Sequence, residues 1–243
     1  MGLGMIDIVI LHKDRLDYLK RTLDYLWERT RTPYRISIID NYSNKINRKY
    51  LLDLLDKKRI FNLCLNGQNV GTKGGANQAF SISTSQPFVL MPDDLLVPDV
   101  EPDWLHRLLE KFNELNEDTD PSQISTTKQP FGLLSLNEPT FDRDIITTKN
   151  GITLCKSMDY QVGLFNRESI VFLTEKDDEI SSASLCFNIL AKGFLVGILN
   201  DTYCQHIGRK SAFRGLYKDN LFDKKTFVKV NPKTLELNEK RDF

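Results

Sequence analysis

Long apolar runs are missing from this 243-residue chain, and no stretch approaches the ~20 apolar residues of a membrane-spanning helix. The N-terminus leads straight into a strand-like segment without a cleavable signal pattern, so a cytoplasmic location is expected. Net charge is missing too: 33 Lys+Arg balance 33 Asp+Glu, which leaves no global basic field and argues against nucleic acid as a partner. The four cysteines, Cys64, Cys155, Cys186 and Cys204, include no C-x-x-C pair and suit reduced thiols better than a disulfide framework. G-x-G-x-x-G after a strand is also absent, since G-T-K-G-G-A-N has a different spacing, and this excludes a dinucleotide oxidoreductase.

What is present is an ordinary globular composition, 40% hydrophobic and 27% charged, in a chain long enough for one large α/β domain or two small ones. Residues 6–11 form a β-branched, nearly continuous apolar run of the kind buried in a parallel sheet. Leu16, Leu19, Leu23, Leu26 and Trp27 then recur at helical spacing, with Asp14 placed to cap that helix. Further strands are expected at 36–39, 61–65 and 88–91, with helices over 49–57 and from the glycine-rich 69–77 to about Ser83. This alternation predicts a doubly wound, mostly parallel sheet with ligands at the carboxyl ends of its strands.

The second half is less regular. It offers an amphipathic helix over 102–117, a polar loop over 117–129 and strands near 131–136 and 161–166. A helix over 181–192 is expected to stop at Gly193, before a strand at 194–198. One domain over 1–208 is expected, with 209–243 as an extension packed on or near the site. Phe213, Leu216, Tyr217, Leu221 and Phe222 interleave with basic residues there, which suits either a packed helix or a peripheral membrane contact.

The chemistry gathers at strand ends: His12 to Arg15, then Asp40 and Asn41, then Asp93 and Asp94. The last pair is wedged between Phe88-Val89-Leu90-Met91 and Leu95-Leu96-Val97. Two carboxylates near an interior are costly unless they face a cation or a ligand. Hard oxygen donors at that position suit Mg²⁺ or Mn²⁺ carrying substrate phosphates. The alternative is a solvated turn with two acids at its tip.

These pieces, in order, resemble family 2 glycosyltransferases. D-I-V-I-L-H-K-D-R-L-D-Y-L-K-R-T-L is similar to the family's first strand, arginine loop and leucine-rich helix. I-I-D-N-Y-S is similar to its second-strand signature. N-V-G-T-K-G-G-A-N-Q-A-F and F-V-L-M-P-D-D-L-L-V-P resemble its asparagine-x-glycine and acidic metal segments. A-K-G-F-L-V-G and Q-H-I-G resemble its closing elements. The resemblance spans 6–208 and implies a GT-A fold, a nucleoside diphosphate sugar donor, a divalent metal (Mn²⁺ or Mg²⁺) and an inverting transfer to a hydroxyl on a glycan or lipid-linked acceptor.

By the same resemblance, His12, Arg15 and Asp40 contact the nucleotide, and Asn69, Gly71, Lys73 and Gly75 line the donor. Asp94 and His206 hold the metal, and Asp93 is a ribose or water-mediated partner. Pro92 stands where the family carries the first acid of this motif. Asp178, with Asp177 and Glu179 as neighbours, is the expected base, although Ser181, Ser182 and Ser184 occupy the positions where many relatives carry it. Two readings stay open beside this one: a non-catalytic carbohydrate- or partner-binding relative of the same fold, and a sugar-nucleotide nucleotidyltransferase.

Overall fold

The computed structural model describes residues 4–117, 129–138, 143–159, 161–170, 172–173 and 182–208. The expected catalytic acids Asp177, Asp178 and Glu179, most of the polar 117–129 loop, and the 209–243 extension with its aromatic and basic residues lie outside the described residues.

The first half alternates as the apolar runs predict: β1 (Ile6–His12), α1 (Leu16–Arg29), β2 (Tyr34–Asp40), α2 (Lys45–Asp56), β3 (Asn62–Leu65), α3 (Gly71–Ile82), β4 (Phe88–Pro92). A short β5 (Leu95–Leu96) and α4 (Trp104–Glu117) follow. The second half adds β6 (Phe131–Asn137), β7 (Arg143–Lys149), β8 (Ile152–Met158), β9 (Gly163–Phe165), α5 (Ser182–Ala191), β10 (Leu195–Tyr203) and β11 (Gln205–His206).

Among the described residues nine strands form one sheet in the order β3-β2-β1-β4-β9-β6-β10-β8-β7. The first four are mutually parallel, and β6 and β10 run parallel to each other. β9 lies antiparallel between β4 and β6, and β8 antiparallel between β10 and β7. Seven of these nine strands therefore point the same way, while four of the eight pairings are antiparallel, so the sheet is mostly parallel in direction and mixed in pairing.

Burial follows the strand period of two. Ile8 and Ile10 of β1, with Val89 and Met91 of β4, face one layer, packing with Leu19, Leu23, Leu51, Trp104 and Leu108. Val9, Phe88 and Leu90 face the other, with Ala76, Phe80, Leu185 and Ile189. Helices on both faces explain why β1 and β4 read as continuous apolar runs rather than alternating ones. Phe88 stacks on Phe165 at 5.6 Å between ring centroids, fixing β4 to its antiparallel neighbour β9.

Two expectations need correction. Asp14 does not cap α1: it has φ +58, and its carboxylate accepts from Lys13 Nζ and the Asn44 amide, while Arg15 occupies the cap position without a side-chain bond. α2 starts at Lys45 rather than Lys49, because the Asn44 side chain accepts from the Ile46 and Asn47 amides and begins the helix early. The hairpin of β7 and β8 was not expected, since β7 is almost wholly exposed and carries no apolar alternation to mark it. Gly193 ends α5 as expected, at φ +86, with the Phe194 amide bonded to the Ile189 carbonyl.

Candidate active site

The carboxyl ends of β1, β2 and β4 meet side by side. In register, His12 pairs with Asp40, and Leu11 with Pro92. The acidic pair follows β4 directly, and both carboxylates are buried, Asp93 fully and Asp94 to 1% exposure.

Asp93 is satisfied by protein. His12 Nδ1 lies 2.6 Å from its Oδ2, the Lys13 amide donates to the same oxygen at 3.3 Å, and Arg15 bonds Oδ1. Behind it, His12 Nε2 meets Asn47 Oδ1 at 2.9 Å, and Thr22 Oγ1 donates to the Asp93 carbonyl at 2.9 Å. Both ring nitrogens of His12 are thus engaged, and the imidazole is a strut between α2 and the acid pair.

Asp94 is held differently. Arg15 bridges to its Oδ2 through a second guanidinium nitrogen, so one planar cation spans both acids. His206 Nε2 lies 3.4 Å from the same oxygen. Chain pairing places this histidine: β11 runs antiparallel to β5, with His206 opposite Leu95, and the Ile207 amide donates to the Asp94 carbonyl at 2.9 Å. Gly208 closes the corner, where an added Cβ would fall 1.9 Å from Asp94 Oδ2.

Burial pushes the Asp94 carboxyl above its ordinary value, against the opposing pull of His206 and Arg15. Burial would lower Arg15, but the two acids outweigh it and raise the guanidinium.

The described residues fit a divalent ion that is completed by a ligand from outside the chain. Among the described residues no group of three or more His, Cys, Asp or Glu side chains could hold a metal by itself. Asp94 Oδ1 is nevertheless buried with no hydrogen-bond partner there, so one hard donor stands ready beside His206. Ions of the Mg²⁺ type are commonly held by one or two carboxylates plus substrate phosphates. This donor set suits an ion shared with a diphosphate.

The other expected residues surround this centre. Asp40 is fully buried, accepting from the Ser43 amide at 3.2 Å and from Arg48 Nε at 2.9 Å. Asn69 Oδ1 accepts from the Gly71 amide at 3.0 Å, which starts α3, and Gly71 has the left-handed φ of +70 that glycine permits. Lys73 lies half-buried in the first turn of α3, whereas Gly75 packs against Leu11, where an added Cβ would meet Cδ2 at 3.3 Å. Asn41 joins β2 to α3, accepting from the Val70 amide at 2.8 Å and donating to the Gly71 carbonyl at 3.1 Å. Asn47, Thr22, Arg48 and Gly208 were not singled out from sequence. Each acts through a contact 8 or more positions away, and no local motif marks such contacts.

Away from the acid pair, a cavity of about 360 Å³ is lined by Arg143, Asp144, Ser157, Met158, Asp159 and Ala183. Cys204 is buried, its thiol 3.7 Å from the Asn137 carbonyl. Among the described residues no helix is long and apolar enough to cross a membrane.

Solved structures share this fold. GalNAc-T7 with UDP, GalNAc and Mn²⁺ aligns at TM-score 0.61 and 14% identity, over 84% of this chain and 44% of that one. The mannosyltransferase PcManGT from Pyrobaculum calidifontis, in complex with GDP-Man and Mn²⁺, aligns at 0.56 and 14%, over 79% and 56%. S. aureus TarS 1-349 in complex with UDP aligns at 0.59 and 8%, over 83% and 59%. The chain therefore spans about half the length of these structures. Among curated protein sequences none matches it. The glycosyl transferase family 2 model does match, across residues 7–160, from the aspartate of β1 past the acid pair to the end of β8. The chain belongs to glycosyl transferase family 2.

Proposed function

We propose that this chain transfers a sugar from a nucleoside diphosphate donor to a hydroxyl of a glycan or lipid-linked acceptor, with inversion at the anomeric carbon. The observation that carries the reading is the buried Asp93–Asp94 pair at the end of β4, bridged by Arg15 and met by His206 across β5 and β11. A carboxylate pair kept at a parallel-sheet switch region, with a cation already on it, is arranged for a charged ligand.

In this proposal Asp94 and His206 would hold a Mn²⁺ or Mg²⁺ ion, which would supply charge neutralisation for the diphosphate. Arg15, whose side chain is 35% exposed, is placed to turn from the acids to phosphate oxygens. The amide end of α3, opened by Gly71 and tied to the end of β2 through Asn41, would add to that neutralisation, with Lys73 in its first turn. Asp40, held by Arg48, sets the end of β2 near the base and ribose.

The acceptor oxygen attacks the anomeric carbon as the carbon–oxygen bond to the diphosphate breaks, and its proton passes to a carboxylate. Asp178, with Asp177 and Glu179 beside it in sequence, is the proposed base, just ahead of α5. The thiols are free and three of the four are buried, which supports a reducing, cytoplasmic setting.

Thermal-shift screening against UDP, GDP, CDP and dTDP, with and without Mn²⁺, tests the reading. One nucleotide is expected to stabilise the chain, and more so with the ion, because a ligand that binds only the folded state raises its stability. Absence of any response to all four would overturn it. Determining the anomeric configuration of the product decides inversion, and a retained configuration would sink that step.

A further inference from the structure

The loops after β1 and β2 are laced together. The Asp14 amide donates to Ser43 Oγ at 2.8 Å, the Asn44 amide to Asp14 Oδ1 at 2.7 Å, and the Asn41 amide to the His12 carbonyl at 2.8 Å. Held inside this lacing is Tyr42, with φ +69. Asparagine and aspartate visit that region readily, but for a bulky side chain it is an outlier. Of the four non-glycine residues with positive φ among those described, Lys58 follows α2 and Asn150 sits in the turn of the β7–β8 hairpin. Asp14 and Tyr42 alone sit at the strand ends that carry the site.

Tyr42 does not recover this strain by burial, since 52% of its surface is exposed. Among the described residues its ring partner is the Arg48 guanidinium, 5.4 Å from the ring centroid, itself held by Asp40. An aromatic ring presented at the carboxyl end of β2, cation on one side and solvent on the other, is a surface for a flat π-system. Strained residues kept this way cluster at ligand sites. Resting on the donor reading above, we infer that Tyr42 is the stacking platform for the donor's nucleobase. The base lies on the open face of the ring, while the diphosphate reaches toward Arg15 and the acid pair. Recognition by stacking accepts any base with a π-face, so Tyr42 contributes affinity, and the choice of base falls to edge contacts made elsewhere.

Isothermal titration on wild type and on Tyr42→Ala, Tyr42→Phe and Tyr42→Gly tests this, using whichever of UDP, GDP, CDP and dTDP stabilises wild type most, and inorganic pyrophosphate. Tyr42→Ala is expected to weaken the nucleoside diphosphate about tenfold while leaving pyrophosphate unchanged, and Tyr42→Phe to keep wild-type affinity. Tyr42→Gly is expected to lose the same affinity with a Tm no lower than wild type, because glycine accepts the positive φ. A merely structural tyrosine would instead lower Tm in the glycine variant. Wild-type affinity in Tyr42→Ala, or a parallel loss for pyrophosphate, would overturn the inference while leaving the donor reading in place. Failure of wild type to bind any of the four nucleotides would remove both.

Discussion

His12 Nδ1 lies 2.6 Å from Asp93 Oδ2, tying the ends of β1 and β4 across 81 positions of chain. Arg15 reaches the other oxygen of the same carboxylate. Removing the acid strands a buried imidazole and half of a guanidinium fork. Asp93→Ala is expected to cost about 3 kcal/mol of stability, the scale on which breaking a buried, bonded pair is measured. Urea unfolding checks this; a change below about 1 kcal/mol would show that the pair contributes little.

Asp94 behaves oppositely. Burial already disfavours its charge, so an uncharged isostere relieves a penalty as it removes an ion pair. Asp94→Asn is expected to keep Tm within about 3 °C of wild type, a shift worth roughly 1 kcal/mol at this size. Turnover of the nucleotide sugar is expected to fall at least ~100-fold, the scale on which removing one charge-stabilising group slows an enzyme. A variant as active as wild type would remove Asp94 from the chemistry.

The Asp7–Arg35 pair makes a prediction far from the site. Burial would raise the Asp7 carboxyl, but the bond from Arg35 and the Thr84 and Ser85 amides outweigh it and hold the group below its usual range. A carboxylate with a lowered folded pKa stabilises above the unfolded pKa, and that stability is lost as pH falls through the folded one. Tm of wild type should therefore exceed that of Asp7→Asn near pH 6, and the gap should close as pH drops below about 4. A gap independent of pH would contradict the charge argument.

Thiol chemistry separates the cysteines. Burial pushes Cys155 up to about 11 and Cys186 to about 12, and raises Cys204 as well. Cys64 is the partly exposed one. Labelling of the native protein with a disulfide reagent should show one fast thiol, lost in Cys64→Ser, because thiolate character and access control the rate. Several fast thiols would show that the core opens more readily than its packing implies.

Gly208→Ala should inactivate without unfolding. The added methyl would meet the Asp94 carboxylate at 1.9 Å and Arg15 Nη1 at 2.9 Å, so either the acid or the chain after β11 must move. Activity near wild type would mean the corner has slack.

Much of this was legible in residue order. The apolar runs of β1 and β4 are continuous because helices cover both faces, and that continuity is itself the mark of a parallel sheet. The acids at 40, 93 and 94 could be placed at strand ends for the same reason. What could not be read was who holds whom. His12 looked like a ligand-facing loop residue, yet it is 1% exposed and fixed by Asn47 on α2. Arg15 could be assigned to phosphate, but its bridge across Asp93 and Asp94 depends on the turn after β4 folding back over α1. β7 escaped notice because an exposed edge strand carries no burial pattern to reveal it.

The pairing of β11 with β5 sets a timetable as well as a geometry. Asp93 and Asp94 leave the ribosome more than a hundred residues before His206, and the described chain between them builds most of one wing of the sheet. A growing chain can form β1 to β4 and hold its two acids on Arg15, with His12 on the first of them, but the His206 corner closes only when the last described strand is made. Partial chains released before that point would carry the fold's first wing without the histidine corner, and so would lack one of the two side chains proposed to hold the ion.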